Sequence, residues 1–219
     1  GLYIFVNQTC KVVVQRHHDD SQPLTWYDAE IWGDVASGEL LKTIQYDPEK
    51  VEKVRVDASE TAKKYNIAFA MNTDYYTYRL GSKNGRPIGL VIRDGQIRYE
   101  KPYTKATNNF PNLDTLAFYP DGSMDVHASY ELTGQEYLDR GAYMVYSFGP
   151  YLIRDGVLNA HLEDVSTSRQ PRCALGMIEP GHYVAILAEG RLKDSNGVSV
   201  KQLALMMREK GCTVAAGTH

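Results

Sequence analysis

No run of about 18 apolar residues occurs anywhere in the 219-residue chain, so no helical membrane span is expected. Cysteine is scarce: Cys10, Cys173 and Cys212 are too few and too scattered for a disulfide framework, and no C-x-x-C or His-rich spacing suggests zinc. No excess of positive charge exists either. Lys and Arg number 24 against 27 Asp and Glu, a net charge of -3, which gives no reason to expect nucleic acid as a partner. G-x-S-x-G, P-loop and dinucleotide fingerprints are absent, so nucleophilic-serine, nucleotide and NAD chemistry find no support and no cofactor is implied. There is no Pro/Ser linker, low-complexity tract or fixed-period repeat, so residues 1–219 are expected to form one domain. The opening GLYIFVNQTCKVVVQ is apolar but carries neither a basic leader nor a small-residue cleavage site, and it reads as strand.

What is abundant is tyrosine, 16 against 5 Phe and 2 Trp. Tyrosines suit amphipathic sheet faces and also half-exposed clefts where a ring stacks on a ligand such as sugar. Leu2 to Val6, Lys11 to Arg16 and Trp26 to Trp32 have strand composition, with His17-His18-Asp19-Asp20 as a solvated loop between the last two. Asp57-Ala58-Ser59-Glu60, Thr133-Gly134-Gln135-Glu136 and Ser199-Val200-Lys201-Gln202 have the spacing of helix starts, and Gly211 ends the last helix. Ile67 to Met71 reads as an apolar strand. Asp94-Gly95, Asp121-Gly122 and Asp155-Gly156 each sit between strand-like runs and predict hairpin turns with positive φ at both central residues; Glu179-Pro180-Gly181 predicts a fourth, longer turn. The expected fold is α+β: a hairpin-rich mixed or antiparallel sheet with about three helices packed on it.

Chemistry-bearing residues collect at expected strand ends: Asn72 and Asp74, Arg93, Arg172, Glu189 and Arg191. Arginine offers a planar, permanently charged fork for phosphate or carboxylate. Asp74 and Glu189 have the makings of the acid/base pair that glycosidic chemistry uses. Each residue taken singly reads more readily as a surface ion pair than as catalytic, and Asn72 and Asp74 read equally as a turn that satisfies its own backbone.

Their order resembles a known family. Tyr27-Asp28-Ala29-Glu30-Ile31, Ala68-Phe69-Ala70-Met71-Asn72-Thr73-Asp74-Tyr75-Tyr76, Ile92-Arg93-Asp94-Gly95, Ser147-Phe148-Gly149-Pro150, Ile153-Arg154-Asp155-Gly156, Arg172-Cys173-Ala174-Leu175-Gly176, Glu189-Gly190-Arg191 and Gly197-Val198-Ser199 succeed one another as in the phosphodiester glycosidase family, whose members include uncovering-enzyme-like and exopolysaccharide-related proteins. The resemblance runs from Tyr27 onward. It implies hydrolysis of a sugar-1-phosphodiester, such as an N-acetylglucosamine-1-phosphodiester, in a surface or extracellular glycan, by a secreted protein. It also implies Asp74, Glu189 and Arg172 as catalytic residues and Asn72, Arg93 and Arg191 as substrate-binding residues, with no metal, and an enzyme is expected to bring Asp74, Arg93, Arg172 and Glu189 into one cleft. A non-catalytic carbohydrate or cell-wall polysaccharide binding domain is the alternative, expected to show aromatic platforms without convergent carboxylates. The sequence departs from the family pattern at Thr73, where a glycine is usual, and at Glu189, where an aspartate is usual. It departs again after Ala215, where a glycine-rich segment is expected and the chain reads Ala216-Gly217-Thr218-His219.

Overall fold

A computed structural model of the chain describes residues 1–44, 57–74, 89–101, 113–129 and 131–218. Tyr75 and Tyr76 of the family-like segment lie outside them. Two sheets face each other, and every strand pairing among the described residues is antiparallel. The larger has the order β1-β2-β3-β12-β11-β13-β9-β10, the smaller β5-β4-β8-β6-β7. The strands of the larger sheet are β1 (Leu2–Val6), β2 (Cys10–Asp19), β3 (Leu24–Gly33), β9 (Tyr151–Arg154), β10 (Val157–Leu158), β11 (Arg172–Glu179), β12 (His182–Ala188) and β13 (Val214–Thr218). Those of the smaller are β4 (Gly89–Arg93), β5 (Gln96–Lys101), β6 (Thr115–Phe118), β7 (Met124–His127) and β8 (Met144–Ser147). Four helices are described: α1 (Ala58–Tyr65), α2 (Gly134–Asp139), α3 (Leu162–Val165) and α4 (Val200–Glu209). The protein is therefore α+β but dominated by sheet, and the single sheet of the sequence expectation is in fact two.

Side-chain alternation divides the interior into three layers. Val12, Ala29, Ile31, Leu175, Ala185 and Ala216 of the larger sheet meet Leu116, Phe118, Val126 and Tyr146 of the smaller in the inter-sheet core. On the outer face of the larger sheet, Ala174, Val184, Ile186 and Ala188 pack under Val200, Leu203, Ala204 and Met207 of α4. On the outer face of the smaller sheet, Leu90, Ile92 and Val145 pack under Tyr137 of α2. Burying each large aliphatic side chain contributes about 1.5–3 kcal/mol.

Local chemistry sets the element ends. Thr133 with Glu136 and Ser199 with Gln202 form reciprocal capping boxes, and the Asp57 side chain accepts from the Ser59 and Glu60 amides. Asp94 and Gly95 (φ 51° and 68°) and Asp155 and Gly156 (φ 51° and 75°) make the expected two-residue turns. The turn at Asp121-Gly122 differs, because only Gly122 has positive φ. Pro120 prefers the ordinary negative-φ turn, so Tyr119 closes on Ser123 across a three-residue loop. Residues 67–71 form no strand: Ala68, Phe69 and Met71 partly bury their side chains against the inter-sheet core without joining a strand ladder among the described residues. His17, His18 and Asp19, expected in a loop, instead finish β2, where His17 stacks on Trp26 at 4.9 Å and meets Asp28 at 2.6 Å.

Candidate active site

Arg93 is the last residue of β4. Its neighbour Ile92 fills the core beneath α2, so alternation sends Arg93 to the inter-sheet side, on which Tyr146 lies. There its Nη2 lies 3.6 Å from Asp74 Oδ2, with the two side chains only 15% and 13% exposed. The Nε of Arg93 is buried and has no hydrogen-bond partner among the described residues. Burial pulls the guanidinium below its usual basicity, which Tyr146, Tyr99 and Asp94 oppose and Arg98 reinforces. A guanidinium is so basic that the group stays a cation at neutral pH. A buried cation with a donor left unmatched is costly on its own and favours an anion beside it.

Tyr146 completes this corner. Burial raises its phenol pKa, while hydrogen bonds with Thr43 and Thr73 act the other way. Its hydroxyl lies 2.9 Å from Thr43 Oγ1 and donates to Met144 Sδ at 3.0 Å. A cavity of about 180 Å³ adjoins, lined by Leu40, Lys42, Thr43, Asp94, Tyr143 and Met144. Asn72, two residues before Asp74, is exposed.

A second set of polar groups lies where β12 leaves the larger sheet. Glu189 Oε1 accepts from the Tyr27 hydroxyl at 3.3 Å. The Glu189 amide donates to Thr25 O at 3.0 Å. Buried Ser195 donates to Glu189 O and accepts from the Thr25 amide, both at 2.9 Å, and so ties β12 to β3. Gly190 packs so tightly that a Cβ there would sit 2.5 Å from Pro171 N. Arg191 holds a left-handed φ of 62° and is exposed, donating from Nε to Gln170 Oε1 at 2.9 Å.

Arg172 is not on the same face as Glu189. Its register partner is Ala188, which belongs with Ala174 to the core under α4, so its side chain leaves the larger sheet on the helix side. The guanidinium donates to Val198 O at 3.0 Å, Ser168 O at 3.2 Å and Ser166 Oγ at 3.4 Å. Burial lowers its pKa as well. The structure thus joins Asp74 to Arg93, and Glu189 to Tyr27, and turns Arg172 toward backbone carbonyls. Tyr146, Thr43 and Ser195 carried no sequence signal, since Thr43 meets Tyr146 from 103 positions away and Ser195 meets Thr25 from 170; Tyr27 stood inside a family-like motif without a role.

Among the described residues no group of three His, Cys, Asp or Glu side chains is placed to hold a metal ion. No described helix is long and apolar enough to cross a membrane.

Comparison with known proteins bears on this arrangement. The family profile for phosphodiester glycosidases matches residues 65–217. An uncharacterized prophage-derived protein of Bacillus subtilis, YomE, is 27% identical over 134 residues, 59% of this chain. The chain spans about a fifth of that relative's length, the match covering 20% of it. The catalytic domain of zebrafish N-acetylglucosamine-1-phosphodiester alpha-N-acetylglucosaminidase, solved auto-inhibited by its pro-peptide, superposes with a TM-score of 0.61 at 16% identity, over 96% of this chain and 70% of that one. A hypothetical protein from Synechocystis superposes with a TM-score of 0.60 at 12% identity, over 100% of this chain and 58% of that one. At such identities the two structures share the fold.

Proposed function

The chain belongs to the phosphodiester glycosidase family, and from that premise we propose that it is a hydrolase that cleaves a sugar-1-phosphodiester at the bond between the anomeric carbon and the phosphate oxygen. The observation that carries the proposal is the buried Arg93 guanidinium, whose Nε lacks a hydrogen-bond partner among the described residues and whose Nη2 lies 3.6 Å from Asp74. A phosphodiester oxygen supplies the missing acceptor, and the fixed cation stabilises the negative charge that gathers on the departing phosphate.

In the reaction, water adds to the anomeric carbon, the C1–O bond breaks, and the phosphate leaves as a monoester while its oxygen keeps the bond electrons. Asp74, beside Arg93, is the candidate for the proton-transfer step or for the sugar hydroxyls, and Glu189, steadied by Tyr27, is the second carboxylate. Exposed Asn72 and Arg191 are assigned to substrate binding at the margin. Arg172 is assigned a supporting role, holding residues 166–168 and 198 through their oxygens. No cofactor is invoked.

We further propose that the substrate is a surface or extracellular glycan, which cell fractionation of the native host protein tests. For the reaction itself the test is hydrolysis of an N-acetylglucosamine-1-phosphodiester in oxygen-18 water. The label is expected on the sugar; label on the phosphate would make the protein a phosphodiesterase instead. Glycan binding without any hydrolysis would support a non-catalytic carbohydrate-binding domain.

A further inference from the structure

β1 is the outermost strand of the larger sheet, and its residues enter neither of the polar clusters described above. Gly1 O accepts from the Arg16 amide and the Asn7 amide donates to Cys10 O, so the odd-numbered residues of this segment turn their backbone groups toward β2. Leu2, Ile4 and Val6, of the opposite parity, aim their amides and carbonyls at the open edge, where no described strand pairs with them. The side chains of the same three residues are uncovered as well, the residues being 63%, 56% and 62% exposed, and Tyr3 is 51% exposed. Phe5 alone in β1 reaches the inter-sheet core.

Sheet edges are ordinarily blunted by charge, proline or a bulge, because a bare edge is a template for another strand. β1 has none of these. From Gly1 to Asn7 the sequence GLYIFVN carries no charged side chain and no proline, and β1 runs beside β2 in unbroken register. A net charge of only -3 sets up little repulsion between two copies of the chain.

We propose that β1 is a self-association strand: two copies of this chain join edge to edge, antiparallel, about a two-fold axis at Ile4, fusing their larger sheets into one. The register follows from the parity. Opposed residues in an antiparallel pair exchange either both backbone hydrogen bonds or none, and the outward-facing set is symmetric about Ile4. Ile4 meets its counterpart in the second copy, Leu2 meets Val6 and Val6 meets Leu2, so the three open amides and three open carbonyls of each copy are all paired. On the outer side of the sheet the two Ile4 side chains touch, flanked by the Leu2–Val6 pairs. On the inter-sheet side Tyr3 comes opposite Phe5, an aromatic pair of the closer, non-hydrogen-bonded kind. Such an interface uses the same patch on both copies and closes at the dimer. Leu2, Tyr3, Ile4 and Val6 offer on the order of 100 Å² each, so two copies bring together roughly 800 Å², near the ~1,000 Å² lower bound of a specific interface. The dimer is therefore reversible. It does not depend on the proposed reaction.

Sedimentation velocity of the 219-residue chain over a range of concentrations is expected to show a monomer–dimer equilibrium, half-associated at on the order of 10–100 µM. Ile4→Lys and Ile4→Glu each set like charges face to face on the axis, and each alone is expected to stay monomeric. Because residue 4 is 56% exposed, neither variant is expected to melt differently from wild-type monomer. Mixed in equal amounts, the two are expected to regain the dimer, since Lys then opposes Glu. Wild type that is still monomeric at about 1 mM overturns the proposal. A dimer that persists in both single variants overturns it too, since the contact then lies on another surface. A mixture that stays monomeric while wild type dimerises removes the two-fold register at Ile4, and the proposal with it.

Discussion

Asp74 Oδ2 and Arg93 Nη2 lie 3.6 Å apart in a corner where both side chains are almost closed off from solvent. An ion pair at that distance, with Arg93 Nε without a hydrogen-bond partner among the described residues, is poor compensation for burying a guanidinium. In the proposed function this corner is the place of a second anion, the substrate phosphate.

If Asp74 transfers the proton or grips the sugar, Asp74→Asn keeps its shape and removes its charge. The expected loss is on the order of 10²-fold in kcat, with the acidic limb of the pH–rate profile displaced or abolished. Steady-state kinetics across pH check both, and an unchanged profile would assign Asp74 to structure alone.

Arg172→Ala is expected to act on stability rather than on the phosphate. It removes charged donors from Val198 O and Ser168 O, a loss of about 1.5–3 kcal/mol, seen as a lower urea midpoint. Its KM is expected to change far less than that of an Arg93 variant; equal effects from the two would place both arginines on the substrate.

Ser195→Ala should report on how Glu189 is held. The hydroxyl bridges the Thr25 amide and the Glu189 carbonyl inside the protein, so its loss leaves two buried groups unpaired at about 1–3 kcal/mol. Chemical denaturation measures that cost. Slower turnover of the folded variant, with partial recovery in Ser195→Thr, would show that the bridge also positions the carboxylate.

A pH dependence comes from the buried chain Thr115–Tyr137–His127–Asp125. Tyr137 OH lies 2.5 Å from Thr115 Oγ1 and 3.0 Å from His127 Nδ1, and His127 Nε2 lies 3.3 Å from Asp125. Burial lowers the His127 pKa from 6.5, against the pull of Asp125 and Glu131. The unfolded chain therefore binds this proton at higher pH than the native protein does. Stability is fully present above about pH 6.5 and falls as pH drops toward the lowered folded pKa. Urea midpoints of wild type and His127→Asn between pH 7.5 and 5.5 are expected to show a shallower slope in the variant.

Much of the fold was legible because its signals are local. The capping boxes at Thr133 and Ser199, and the turns at Asp94-Gly95 and Asp155-Gly156, depend on residues within four positions of each other, and the structure shows them where the sequence puts them. The division into two sheets depends on which strands meet, which no local pattern encodes. β13 lies at the end of the described chain yet pairs with both β11 and β9 in the interior of the larger sheet. Ile67 to Met71 has strand composition because Ala68, Phe69 and Met71 are partly buried against the inter-sheet core, although the segment joins no strand ladder among the described residues.

The site was legible in its residue types and less so in its geometry. Asp74 and Arg93 come together from 19 positions apart in sequence. Arg172 and Glu189, both at the same sheet end, part company because Arg172 falls on the helix-side parity of β11 while Glu189 reaches Tyr27 on the other side. Parity relative to two unseen layers is information that spacing does not contain.

The most direct measurement is the release of free N-acetylglucosamine from an N-acetylglucosamine-1-phosphodiester by wild type and by Arg93→Ala of matched native melting. Wild type is expected to release the sugar, and Arg93→Ala to lose roughly 10²–10³-fold in kcat/KM. Equal rates in the two proteins, or no release by wild type, would contradict a phosphodiester site built on Arg93.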